Sequence, residues 1–147
     1  MVQPLELAGL GASLTINAYQ TLKLLQIGVT VVGDYYDPLC GLNRELRAIA
    51  GNNILEKLEL DVGVNIDVSC RTDSKDWHTF DSVLTEPGAF PVLRRVSVKF
   101  RWYTMDMLDQ DRVESVKENN FPRLVESKTV EFTFCAELRD VNFKLNL

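Results

Sequence analysis

The chain has 147 residues, enough to bury one working core, and its 46 % hydrophobic and 25 % charged content is ordinary for a globular domain. A net charge of −5 argues against a nucleic-acid partner, because phosphate neutralisation needs clustered Lys and Arg, and Arg94-Arg95 with Lys99 and Arg101 is too small a cluster to reverse this. No apolar run approaches the ~20 residues of a membrane span, and the three cysteines, Cys40, Cys70 and Cys135, are far apart with no C-x-x-C, the pattern of reduced thiols in an intracellular protein, cytoplasmic or nuclear.

Met1-Val2-Gln3-Pro4 carries no basic, apolar secretory signature. Residues 1–21 alternate at Leu5 and Leu7 and again at Leu14 and Ile16, broken by Gly9 and Gly11. That pattern predicts an N-terminal cap or a truncated repeat. Leu24 to Val32 alternates as a strand and ends at Gly33-Asp34. Asp37-Pro38 is a helix-start signal, Asp as N-cap and Pro in the first turn. Leu39, Leu42, Leu46 and Ile49 follow at helical spacing, with Arg44, Glu45 and Arg47 assigned to the other face and Gly51 to the stop.

A second strand is predicted over Lys57–Val64, then a helix capped by Asp73 or Ser74 that buries Trp77, Phe80, Val83 and Leu84 and ends at Pro87-Gly88. Phe90-Pro91-Val92-Leu93 leads into a third strand, Arg95–Tyr103. A weaker helix covers about 105–118, with Met105, Leu108, Val113 and Val116 inward, and stops at Asn119-Asn120. Phe121-Pro122-Arg123-Leu124 repeats the lead-in to a fourth strand, Thr129–Ala136. Residues 137–147 alternate once more and are expected to form a C-terminal cap strand returning as a hairpin.

The strand centres share one spacing. L-x-x-L-x-L-x-V at Leu55, Leu58, Leu60 and Val62 recurs at Leu22, Leu25, Ile27 and Val29 and at Leu93, Val96, Val98 and Phe100, and its strand part recurs at Val130, Phe132 and Phe134. Leu25 to Leu58, Leu58 to Val96 and Val96 to Val130 are steps of 33, 38 and 34 residues. A strand–helix unit at that period predicts an α/β solenoid: a curved parallel sheet with helices on one face and capping edge strands. A doubly wound sheet would instead show near-continuous apolar strands.

The L-x-x-L-x-L spacing and the paired Phe-Pro-x-Leu segments resemble leucine-rich-repeat proteins, and more narrowly the C-terminal repeats of fungal F-box-type leucine-rich-repeat proteins. The resemblance covers about residues 20–136. It implies a βα solenoid and a protein partner, and in the F-box group recruitment to a ubiquitin ligase. The asparagine ladder of many such repeats has no counterpart at regular spacing here.

Catalytic patterns are sparse. The only histidine, His78, stands at a helix start away from the cysteines, which fit best as small buried hydrophobes. Asp106, Asp109 and Asp111 cluster, but a calcium loop counted from Asp109 fails, with Val113 at position five and Glu114 at position six. The glycines form no phosphate loop. Trp77, Trp102 and Tyr103 are a possible binding platform, though strand-end aromatics usually pack. The remaining candidate is the water-facing side of the sheet. Parallel register predicts rows Gln26–Glu59–Ser97–Glu131, Gly28–Asp61–Lys99–Thr133 and Thr30–Gly63–Arg101. The expected function is therefore non-enzymatic: a protein-interaction module using Gln26, Glu59, Asp61, Ser97, Lys99, Arg101, Glu131 and Thr133, with no cofactor, metal or membrane contact. The competing expectation is a small-molecule binder or hydrolase-like enzyme using carboxylates around Asp106–Asp111.

Overall fold

The computed structural model describes residues 21–31, 39, 41–64, 75–103 and 110–139. Within them, β1 (Leu24–Val31), α1 (Leu42–Ile49), β2 (Lys57–Val64), α2 (Lys75–Thr85), β3 (Arg95–Tyr103), α3 (Gln110–Asn120), α4 (Pro122–Glu126) and β4 (Glu131–Arg139) follow in that order. The four strands form one sheet in chain order, β1-β2-β3-β4, and every neighbouring pair is parallel.

Alternation explains the layering. Leu25, Ile27, Val29, Leu58, Leu60, Val62, Val96, Val98 and Phe100 point to one side and are buried. They join Leu42, Leu46 and Ile49 of α1, Trp77, Phe80, Val83 and Leu84 of α2 and Leu124 of α4 in a single core. The described helices thus cover one face. The core changes character along the sheet, aliphatic between β1, β2 and α1 and aromatic toward β4. There Phe121 sits 5.9 Å from Trp77, 6.2 Å from Phe80 and 5.2 Å from Phe132, ring centre to ring centre, in tilted or edge-on geometries that favour aromatic pairs. Trp77 is fully buried in this cluster, which removes it from any surface platform; the side chains of Trp102 and Tyr103 lie outside the described set.

α1 starts at Leu42 after Gly41, whose φ of 81° is left-handed; Asp37 and Pro38 lie outside the described residues, as do Asp73 and Ser74 before α2. Gly51, with φ of 77°, follows α1 as a C′ glycine, and Gly88, with φ of 79°, is the third residue of the turn after α2 that Ala89 N–H closes on Glu86 C=O at 3.1 Å. Arg44 and Arg47 are exposed as the spacing predicts, but Glu45 is buried, 7 % exposed. Position 45 stands three residues after Leu42 and four before Ile49, so it shares their stripe.

Adjacent units are stitched by polar groups. Asn53 donates through Nδ2 to the carbonyls of Ile49 and Ala89, both at 2.9 Å, and Gly51 N–H also reaches Ala89 C=O at 2.7 Å. Asn43 Nδ2 reaches Asp76 C=O at 2.8 Å, tying α1 to α2. Phe121-Pro122-Arg123-Leu124 reads as a strand lead-in, yet Pro122, a proline at the first helical position, opens the short helix α4, whose Val125 N–H bonds Phe121 C=O at 2.9 Å. β4 continues unbroken to Arg139, so residues 137–139 belong to it and no separate cap strand begins at 137; residues 140–147 and 1–20 lie outside the described set.

Candidate functional site

The side of the sheet opposite the helices carries the residues singled out by alternation. Gln26 pairs in register with Glu59 and Glu59 with Ser97, and Gly28 pairs with Asp61 and Asp61 with Lys99. The fourth strand is displaced from expectation by two residues. Thr133, not Glu131, stands beside Ser97; Cys135, not Thr133, beside Lys99; and Glu131 lies beside Arg95. Val130 and Phe132 both suit the inner face, and a shift of two residues preserves the in–out pattern, so alternation alone leaves this register open. All eight predicted residues still share the open face. Lys57, Arg95, Cys135 and Glu137 join them; extending each row by two along β2, β3 and β4 locates them.

The face is an ion-paired lattice. Arg101 Nε lies 2.8 Å from Asp61 Oδ1, Lys99 Nζ 2.8 Å from Glu137 Oε1, Arg95 Nε 3.2 Å from Glu131 Oε2 and Lys57 Nζ 2.7 Å from Glu59 Oε1. Asp61 therefore pairs with Arg101 diagonally rather than with its register neighbour Lys99. Gln26 Nε2 also donates to Glu59. The Lys57 ammonium, followed by the Gln26 amide, holds the Glu59 carboxyl below the usual glutamate range. The side chains of these pairs remain between 30 % and 68 % exposed, so each pair contributes only about 0–1 kcal/mol and leaves the groups reachable. Cations concentrate on β3, at Arg95, Lys99 and Arg101. Carboxylates flank them, Glu59 and Asp61 on β2 and Glu131 and Glu137 on β4.

The other sequence candidates fare differently. Cys135 is exposed on this face rather than buried, because odd positions of β4 point away from the core; Cys40 and Cys70 lie outside the described residues. His78 is exposed on α2. Asp106 and Asp109 lie outside the described residues, and of Asp111 only the backbone, in α3, is described. Among the described residues no group of three or more His, Cys, Asp or Glu is placed to hold a metal ion, and no helix is long and apolar enough to cross a membrane.

A cleft of about 520 Å3 lies apart from the open face, between the turns that precede β3 and β4. Leu84, Phe90 and Leu93 line it together with exposed Arg123 and Glu126. None of the predicted face residues reaches it.

No protein-family model matches this chain, and neither does any curated protein or solved structure.

Proposed function

We propose that the chain is a leucine-rich-repeat-like βα solenoid acting as a non-enzymatic interaction module, and that the open sheet face binds a protein partner. The observation that carries this reading is the face itself: four strands in parallel register present Gln26, Glu59, Asp61, Ser97, Lys99, Arg101, Glu131 and Thr133 with no described element packed over them. Sheet faces of repeat proteins are their usual binding surfaces. The chain-order sheet and the helices on one side support the solenoid part of the reading. The charge layout gives the partner its chemistry. A basic column on β3 between acidic β2 and β4 favours a complementary surface with carboxylates over β3 and cations to either side, and desolvating such pairs gives specificity more than affinity.

The test is capture with the intact chain as bait, purification of the captured protein, and measurement of its Kd against wild type and against the Glu59→Lys/Lys99→Glu double variant. The variant keeps the net charge and inverts the pattern. The reading requires at least about a tenfold weaker Kd, the scale of one mispaired charge contact at an interface, with an unchanged thermal melt. Equal binding by both proteins would refute it.

A further inference from the structure

β4 is an edge of the sheet, and its outer side is unpaired among the described residues. Natural sheets blunt such edges with proline, lysine or bulges. β4 reads Glu-Phe-Thr-Phe-Cys-Ala-Glu-Leu-Arg, with no proline, lysine or glycine, and pairs with β3 along its full length. The opposite edge, β1, carries Gly28 in its middle, which weakens a strand as a pairing template.

The register settles which backbone groups of β4 turn away from β3. Glu131 N–H donates to Arg94 C=O at 2.7 Å. Residues 131, 133, 135, 137 and 139 therefore turn their backbone toward β3. Phe132, Phe134, Ala136 and Leu138 turn their N–H and C=O groups to the outside. Phe132, Phe134 and Ala136 also pack only partly against the core, so apolar surface runs up to this edge.

We propose that the outer edge of β4 is a self-association surface that pairs antiparallel with β4 of a second copy, centred on Cys135. Hydrogen bonds form only in registers that oppose outward-facing residues to outward-facing ones. Among these, the register centred on Cys135 overlaps the whole strand. It sets Glu131 opposite Arg139 of the second copy at both ends, Phe132 opposite Leu138 and Phe134 opposite Ala136. Centring on Phe134 would set Glu131 against Glu137, two like charges. Centring on Thr133 or Ala136 shortens the overlap and loses the Glu131–Arg139 match. The two-fold contact closes on itself and leaves both open faces on the same side of one longer sheet. This association stands independently of whether that face binds a partner.

Four experiments on the full chain decide the matter. Sedimentation velocity across the micromolar range, at physiological salt to screen the charge of −5, should give a concentration-dependent mass of two chains. Ala136→Pro removes an outward donor without touching the β3 ladder and should shift the mass to one chain while far-UV circular dichroism is retained. Arg139→Glu opposes like charges and should weaken dimerisation roughly tenfold, and Glu131→Arg/Arg139→Glu should restore it. In a Cys40→Ser/Cys70→Ser background, diamide should link the two Cys135 thiols into one disulfide, taking up their two electrons and two protons as it is reduced to the hydrazine. Moving the thiol, by Cys135→Ser with Thr133→Cys, should abolish the link. A single-chain mass at every concentration overturns the proposal. So does a dimer indifferent to the charge reversal, or an open-ended polymer, which would mean β4 pairing with β1 of the next copy. If Ala136→Pro unfolds, the charge reversal and its rescue still decide.

Discussion

Asp81 brings a carboxylate into the core side of α2, 2 % exposed, where Oδ1 accepts from Leu124 N–H at 2.8 Å and Oδ2 from Arg123 N–H at 3.0 Å. It thereby satisfies the first turn of α4 from a neighbouring helix, a turn that has no side-chain cap of its own. Asp81→Ala orphans both donors and should lower stability by about 1–3 kcal/mol in urea melts. Burial pushes the Asp81 carboxyl above the usual aspartate range, and the two N–H groups only partly reverse this. Between the ordinary value of about 4 and the raised native value, the native state binds more protons than the unfolded chain, so this stabilising contribution declines as pH rises through that window. Melts from about pH 4 to 7 should therefore show wild type losing stability relative to Asp81→Asn, which has no such proton to lose. Leu60, 2 % exposed, gives the plainest packing prediction: Leu60→Ala should cost about 2–5 kcal/mol. Glu59→Ala on the open face should stay within about 0.5 kcal/mol, and Asp61→Ala within about 1 kcal/mol for the loss of its Arg101 pair.

At the scale of elements, the turns after α1 and α2 hold neighbouring units together. Gly51 has room for a methyl group, since the closest atom to a Cβ there would be Gly88 C=O at 4.0 Å. Gly51→Ala should therefore cost only the left-handed backbone strain, about 1–2 kcal/mol, with no steric surcharge. Asn53→Ala loses two donors shared between units and should cost about 1–2 kcal/mol. Equal urea midpoints for wild type and Asn53→Ala would mean that water replaces the amide on Ile49 C=O and that Gly51 N–H suffices for Ala89 C=O. The displaced register of β4 accompanies a different element, α4. α4 occupies the stretch that a simple strand lead-in would have crossed, and the strand starts at Glu131 rather than at Thr129.

At the scale of the whole molecule, the parallel order places β2 and β3 each between two hydrogen-bonded strands and leaves β1 and β4 at the rims of the described sheet. Amide exchange should be slowest in β2 and β3, and slow exchange at Phe132, Phe134 and Ala136 would report on pairing at the outer edge. In a Cys40→Ser/Cys70→Ser background, native protein in dilute solution should label fast at its remaining thiol, because Cys135 is exposed on the open face.

The sequence by itself determined the strands, their order and their inner faces. The bounds of β2 and β3 and the buried stripe of α2 follow from period-two and period-3.6 patterns, which are local and need no knowledge of neighbours. Tertiary structure decided what those periods leave degenerate. Thr133 beside Ser97, in place of Glu131, depends on a two-residue slip that alternation does not register. Arg101, rather than Lys99, holds Asp61 because long side chains reach diagonally across strands. Glu45 and Asp81 are buried because a helical stripe is wider than its apolar residues, and whether a carboxylate within it is paired depends on donors about forty positions away, such as those of Arg123 and Leu124. Contacts at that sequence separation arise only when the chain is closed upon itself, so no local pattern carries them.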